Sequence, residues 1–311
     1  MTTTSTATTP HASAAGTWLL GGDLAVNRVG FGAMRLPQRG EALVENAVPR
    51  DRAEAIAVLR RAVELGVNHI DTAAFYFSPL RSANELINSA LGGPYPDDLV
   101  IATKVGPGRD TSGAWSEHAR TPAALRAQVE ENLRQLGRDH LDVVNLRVLG
   151  TDSIAERFGA LAELREAGLI RHLGLSNITP AHLAEAQAIA PVVCVQNMYG
   201  IGVRPEYEDF VRRCGEQGIA FVPFYAIAGA GRQTGATSPE SPEVLAVAEA
   251  HGASAAQVRI AWTLHQGPHL LAIPGTGDPA HLTANIEAGA LHLTPEDLTL
   301  LNALHRTPEA G

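Results

Sequence analysis

The chain has 311 residues, 45% of them hydrophobic and 18% charged, and a net charge of −9 from 33 acidic and 24 basic side chains. That balance is not the composition of a disordered chain, and the acidic excess argues against a nucleic-acid binder, which needs a basic face. No run of about 18 apolar residues is present, so no membrane helix is predicted.

Residues 1–16, MTTTSTATTPHASAAG, are rich in Thr, Ala and Ser. They lack the basic and apolar regions of a secretory signal and the arginines of a transit peptide. They read as a disordered tail ahead of a single domain over 17–311, with a role covering part of the fold as the second reading. Next, TWLLGGDLAVN places apolar runs on both sides of Gly21-Gly22-Asp23, which predicts a β-hairpin.

Eight short apolar runs follow, at 29–34, 67–71, 99–104, 141–146, 171–175, 192–196, 219–224 and 269–273. They are continuous rather than alternating, as in parallel strands buried on both faces. Amphipathic helices alternate with them. The helix predicted over 51–65 has Asp51 as N-cap, a face of Ile56, Leu59 and Val63, and Gly66 as its stop. The helix over 122–136 starts at Thr121-Pro122, carries Leu125, Val129, Leu133 and Leu136 as its stripe, and stops at Gly137. A third, over 153–167, turns Leu161 and Leu164 inward and stops at Gly168. Thr179-Pro180 and Asp278-Pro279 repeat the start signal. Eight β-then-α units predict a closed (β/α)8 TIM barrel with the hairpin closing its bottom; a doubly wound sheet is the alternative.

Cys194 and Cys214 lie outside any CxxC pair and make no disulfide framework, so a reduced, cytoplasmic protein is expected. Gly267-Pro268 breaks the helix that would bring His265 and His269 to one face, and no metal site is read.

In such a barrel the chemistry collects at the C-terminal ends of the strands. The second strand ends in Asp71, followed by TAAFY with Tyr76; the third ends in Lys104; the fourth ends in Asn145-Leu146-Arg147. A tyrosine alone is a poor acid at neutral pH, and a neighbouring ammonium stabilises its phenolate. An aspartate paired to that lysine limits the cost of burying it. Asp71, Lys104 and Tyr76 therefore read as a tuned general acid for a developing alkoxide. Arg147 cannot shuttle a proton but can polarise a carbonyl or hold an anion, and its charge is expected to lower the Tyr76 pKa further. The plain alternatives are a capping Asp71, a rim Lys104, a packing Tyr76, and an Arg147 paired with a rim carboxylate.

In chain order, GFGAMRL, HIDTAAFY, IATKVG, LDVVNLR, IRHLGLSN, VCVQNMY and IPGTGDPAHLTAN resemble the aldo-keto reductase superfamily over about residues 17–305. The resemblance implies a barrel with a bottom hairpin and NADPH bound without a Rossmann motif. No GxGxxG follows a strand: Gly30/Gly32 and Gly275/Gly277 lack the third glycine. It implies Tyr76 as proton donor, Lys104 and Asp71 as its tuning pair, and Arg147 where the family usually carries His.

For the cofactor, the resemblance implies Ser176, Asn177 and Gln196 on the nicotinamide carboxamide and Phe224 stacked on that ring. Gly32, Ala33, Met34 and Asp71 belong to the same site. Gly275, Thr276 and Gly277 precede a helix N-terminus, whose N–H groups suit an anion. His281 fills a slot often held by arginine near the adenosine 2′-phosphate, and Asn285 matches an adenine contact. Gly275 and His281 replace more basic residues, which keeps NADH as the second coenzyme. Arg232, in GAGRQTG, is a further cation for that end. The specificity loops fall at 105–120, 200–206 and 226–242.

The LDVVNLR, VCVQNMY and IPGT variants resemble a bacterial branch that includes pyridoxal reductases. The implied activity is NADPH-dependent reduction of an aldehyde or ketone, pyridoxal among them, by a monomer with no nucleic-acid or membrane partner. The alternatives are a reductase of a secondary-metabolite ketone, a cofactor-sensing binding module, and a metal-dependent barrel hydrolase. The strand ends lack the ligands the last would need.

Overall fold

The computed structural model describes residues 9–40, 42–44, 47–109, 114–116, 119–227 and 240–306. A hairpin, Thr17–Leu20 (β1) and Leu24–Asn27 (β2), precedes one parallel sheet. Its seven strands are Phe31–Gly32 (β3), His69–Asp71 (β4), Val100–Val105 (β5), Leu141–Arg147 (β6), Ile170–Ser176 (β7), Cys194–Gln196 (β8) and Ala220–Phe221 (β9), paired in chain order. The eighth apolar run closes the ring through parallel bridges of Leu270 to Phe221 and of Ala272 to Val29. Leu271 N donates to Phe221 O at 3.0 Å, and Gly30 N donates to Ala272 O at 2.8 Å. The predicted (β/α)8 barrel is present, and a doubly wound sheet is not. The predicted strand over 219–224 is cut to two residues. Pro223 has no N–H for the ladder, and Tyr225 turns the chain away with φ +64°.

Successive strand residues face opposite sides, which explains the continuous apolar runs. Val100, Val143, Cys194, Ala220 and Leu271 form an inner cluster, and Leu20, Leu24 and Val26 of the hairpin join it from below. Ile101, Val144 and Leu175 face outward into the larger core shared with the helices. Gly21 must stay small in the hairpin turn: its φ is +65°, and a Cβ there would lie 2.6 Å from the His172 ring.

The helix starts follow the sequence signals. Asp51 Oδ1 accepts the N–H groups of Ala53 and Glu54 at 2.8 and 3.1 Å, opening Arg52–Glu64 (α1). Thr121 opens Pro122–Leu136 (α3, after Ala83–Leu91, α2), and Gly137 ends it in the left-handed region. The buried face of α1 differs from the predicted one: Ala55, Val58, Leu59 and Ala62 point inward, and Ile56 is only partly buried. The N-terminal segment also departs from a disordered tail where it is described. Ala12–Ala15 forms a 3-10 turn, Ala12 is fully buried, and its N–H donates to Leu65 O at 2.8 Å. This turn covers the end of α1, which was the second reading.

His69 is buried at the start of β4, and neither ring nitrogen makes a hydrogen bond. Burial pushes its pKa down to about 4. The unfolded chain takes up that proton near pH 6.5, so stability present above that pH is lost as pH falls toward 4. The expected loss is about 3 kcal/mol. Denaturant unfolding of the wild type and His69→Leu across this range isolates it. Equal pH slopes in the two proteins would contradict the assignment.

Candidate active site

Strand register brings the chemistry to one rim. Asp71 pairs with Ala102, Asn145 with Lys104, Arg147 with Ser176, and Ser176 with Gln196. Asp71, Lys104, Arg147, Ser176 and Gln196 therefore end four adjacent strands and the one before them at nearly one level.

Lys104 Nζ donates to both Asp71 carboxylate oxygens at 2.7 Å and to Thr72 O at 3.0 Å. The two side chains are 3% and 7% exposed, so this ion pair is almost dry. A buried polar row lies behind it. Thr72 donates to Asn84 at 2.7 Å, and Asn84 and Thr103 both donate to Asn132 Oδ1, at 2.9 and 2.6 Å. The row ties the ends of β4 and β5 to α2 and α3 and holds the pair in register. Sequence reasoning missed it. The available signal was Asn132, a polar residue on the apolar stripe of α3 beside Val129 and Leu136.

Tyr76 sits in the loop after β4, 93% buried, with Lys104 Nζ 4.8 Å from its ring centroid. Its pKa lies above the ordinary phenol value. Burial raises it most; Lys104 and Arg147 lower it, and Asp71 raises it again. This corrects the expectation of a lowered pKa: two cations do not offset the loss of water around the phenol. Lys104 also lies above the ordinary lysine value. Burial opposes this, but the attraction of Asp71 and Tyr76 outweighs it.

Among the described residues Arg147 takes no rim carboxylate. Its Nη1 donates to Ser176 Oγ at 3.1 Å, and its guanidinium lies 4.8 Å over the Phe224 ring. Gln196 Nε2 donates to Asp71 Oδ2 at 2.9 Å, while its buried Oε1 has no partner. Asn177 adopts φ +59° and spends its side-chain amide on Val148 O at 2.8 Å.

Opposite these residues, β3 and the segment after the eighth run approach closely. A Cβ on Gly32 would lie 2.5 Å from Ile273 O, and one on Gly275 would lie 2.4 Å from Gly32 O. Ala33 is fully buried in the outer core, whereas Met34 lines the cavity. Gly32→Ala is expected to part these backbones, weakening NADPH binding at least about tenfold and lowering the melting temperature. Fluorescence titration and thermal unfolding check it; unchanged affinity would show that this approach does not shape the site.

The helix after Gly277, Pro279–Glu287, is capped by Asp278, which accepts the N–H groups of Ala280 and His281 at 2.7 and 3.3 Å. The amides expected to face an anion are thus already satisfied by a carboxylate. The cation beside this loop is Arg50: its Nη1 donates to Gly277 O at 3.1 Å, and a Cβ on Gly277 would run into its guanidinium. Arg50 stands 227 residues before Gly277, so no local spacing reveals it. His281 is exposed, Asn285 and Thr276 are largely buried, and Arg232 lies outside the described residues.

Asp71, Tyr76, Lys104, Arg147, Gln196 and Phe224 line a cavity of about 790 Å³, with Gly32, Met34 and Gly275 on its far wall. Ala33, Ser176, Asn177, Thr276, Gly277, His281 and Asn285 are outside its lining. Arg109, also missed from sequence, braces one side. It stacks on Phe77 and Trp115, 4.4 and 5.4 Å from their centroids, and donates to the carbonyls of Val44, Phe75 and Phe77.

The aldo/keto reductase family model matches residues 28–306. The chain belongs to the aldo/keto reductase family. This aldo/keto reductase is 44% identical over 292 residues to the pyridoxine 4-dehydrogenase of Escherichia coli strain K12, covering 92% of this chain and 97% of that one. It is 35% identical to an oxidoreductase of Schizosaccharomyces pombe over 100% of this chain and 96% of the other. Among solved structures it resembles a Klebsiella pneumoniae aldo/keto reductase in complex with NADP and acetate. The TM-score is 0.74 and the identity 27%, over 94% of this chain and 96% of that one. A Klebsiella pneumoniae aldo-keto reductase in complex with NADPH matches at TM-score 0.75 and 26% identity, with the same coverage.

Proposed function

We propose that this aldo/keto reductase uses NADPH to reduce an aldehyde to an alcohol, with pyridoxal as a substrate. The observation that carries the reading is the dry Lys104–Asp71 pair set against Tyr76 at the wall of a cavity large enough for coenzyme and substrate groups. Two features suit a nicotinamide coenzyme. The unpartnered Gln196 Oε1 needs a donor, which a primary carboxamide offers. The bare backbones of Gly32 and Gly275 make a wall that side chains would fill. In this reading Gln196 and Phe224 hold the nicotinamide, with Ser176 and Asn177 fixing the rim beside them through Arg147 and Val148 O rather than lining the cavity. Gly32, Met34 and Gly275 line the wall for the coenzyme, Thr276, Gly277, His281 and Asn285 lie toward the rest of it beyond the cavity, and Arg50 is the cation nearest Gly277, while Ala33 is buried in the outer core and does not reach it.

When bound, NADPH supplies the hydride to the carbonyl carbon. Tyr76 gives its phenolic proton to the carbonyl oxygen. The phenolate left behind is stabilised by the Lys104 ammonium, whose position Asp71 fixes through both carboxylate oxygens. Arg147 puts a positive charge beside the reacting group, and the buried apolar wall excludes water. We read the protein as a cytoplasmic monomer; among the described residues no helix is long and apolar enough to cross a membrane.

A raised Tyr76 pKa keeps the acid protonated throughout the neutral range. Reduction of an aldehyde with no ionisable group of its own, such as benzaldehyde, is therefore expected to give kcat/KM flat from about pH 6 to about pH 9, while alcohol oxidation, which needs the phenolate, rises with pH. A bell centred near neutrality would contradict Tyr76 as the acid. The decisive test is NADPH consumption across aldehydes and ketones, including pyridoxal. Tight NADPH binding with no turnover on any of them would instead favour a coenzyme sensor.

A further inference from the structure

We infer that Arg147 recognises an ionised oxygen on the carbon next to the one that bears the aldehyde, which makes 2-hydroxyaryl aldehydes the substrate class. This deepens the proposed function and rests on it.

Arg147 stands out among the arginines of the interior. Arg259 pairs with Glu240, Arg138 pairs with Asp142, and Arg28 donates to four backbone carbonyls. Arg147 donates one hydrogen bond, to the neutral Ser176 hydroxyl, and rests on an aromatic face. Among the described residues no carboxylate pairs with it. Among the described residues of the cavity lining, Lys104 and Arg147 stand against one carboxylate, Asp71, which is committed to Lys104 and Gln196. A positive charge thus remains beside the phenol, in surroundings where an anion would be held more strongly than in water.

Geometry fixes where that anion falls on the substrate. The aldehyde oxygen must reach the Tyr76 hydroxyl to take its proton. Arg147 ends the strand beside the one that carries Lys104 and lines the same cavity as Tyr76, so it stands on the side of the atoms next to the carbonyl. Phe75 and Trp115, on the lining away from Phe224, supply flat apolar walls suited to an aryl ring. Pyridoxal meets this description, since its ring carries a hydroxyl beside the aldehyde carbon. The described lining offers no second carboxylate to a protonated ring nitrogen. 2-Hydroxybenzaldehyde shares the adjacent oxygen and lacks the ring nitrogen, so it isolates the contribution of that oxygen. Intrinsic reactivity runs the other way, because a phenolate donates electrons into the aldehyde and slows hydride addition. A preference for it must come from the protein.

The test compares kcat/KM for 2-hydroxybenzaldehyde, 4-hydroxybenzaldehyde and benzaldehyde in the wild type, Arg147→Leu and Arg147→Lys. Calorimetric binding of the same aldehydes to NADP⁺-loaded protein, where no hydride is available, reads the subsite without turnover. The wild type is expected to prefer the 2-hydroxy isomer, increasingly so as the phenol ionises with rising pH. Arg147→Leu is expected to cut that preference at least about tenfold in both measurements and to remove its pH dependence, with Arg147→Lys restoring part of it. Equal use of the 2- and 4-hydroxy isomers, or a preference that survives in Arg147→Leu, overturns the inference. Absent turnover of every aldehyde with the binding preference intact sinks the reductase reading and leaves the Arg147 subsite standing.

Discussion

Tyr76→Phe is expected to lower kcat/KM for aldehyde reduction by about a thousandfold, equivalent to about 4 kcal/mol of transition-state stabilisation. The substitution removes one oxygen from a buried ring. The edge-on contact with Phe75, at 5.1 Å between centroids, and the approach of Lys104 to the ring face both survive it. NADPH affinity and melting temperature should therefore change little, which separates loss of the proton from loss of the site. The site has no obvious substitute: Lys104 Nζ already donates to Asp71 and Thr72. Near-wild-type turnover in this variant would show that the proton comes from elsewhere.

Lys104→Met is expected to cost both activity and stability. It strands the Asp71 carboxylate, which is 93% buried, with Gln196 Nε2 as its one remaining side-chain donor. Removing one partner of such a pair costs about 3–5 kcal/mol. Adding Asp71→Asn to this variant discharges the site and should recover most of the stability, but not the activity, because the phenolate still lacks its cation. Equilibrium unfolding of the two variants separates these effects. A Lys104→Met protein as stable as the wild type would contradict the buried pair, and an active double variant would contradict the role given to Lys104.

The barrel was legible because parallel strands buried on two faces leave continuous apolar runs, and their order sets which residues share a rim. Asp71, Lys104 and Arg147 were recognisable as strand-end residues for that reason, and Tyr76 as part of the loop that follows Asp71. What stayed hidden depended on contacts between distant segments. Arg50 under Gly277, Arg109 between Phe77 and Trp115, and the Asn84–Asn132 row all join loops or helices that no local spacing relates. The direction of the Tyr76 shift was misjudged because the neighbouring charges can be read from strand ends, whereas the depth of burial cannot. The same holds for α1, whose buried face is Ala55, Val58, Leu59 and Ala62 and not the stripe its larger apolar residues suggest. Asp278 was read as part of a helix start, but not as the group that satisfies the amides an anion would use.

The most direct test of the account follows deuterium from NADPH with both C4 hydrogens of the nicotinamide replaced by deuterium, during reduction of pyridoxal by the wild-type protein. Direct hydride transfer predicts label on the carbinol carbon of the alcohol, one deuterium per NADPH consumed, and almost none of that product with Tyr76→Phe. NADPH that binds and keeps its label, with no alcohol formed from pyridoxal or any other aldehyde, would contradict it.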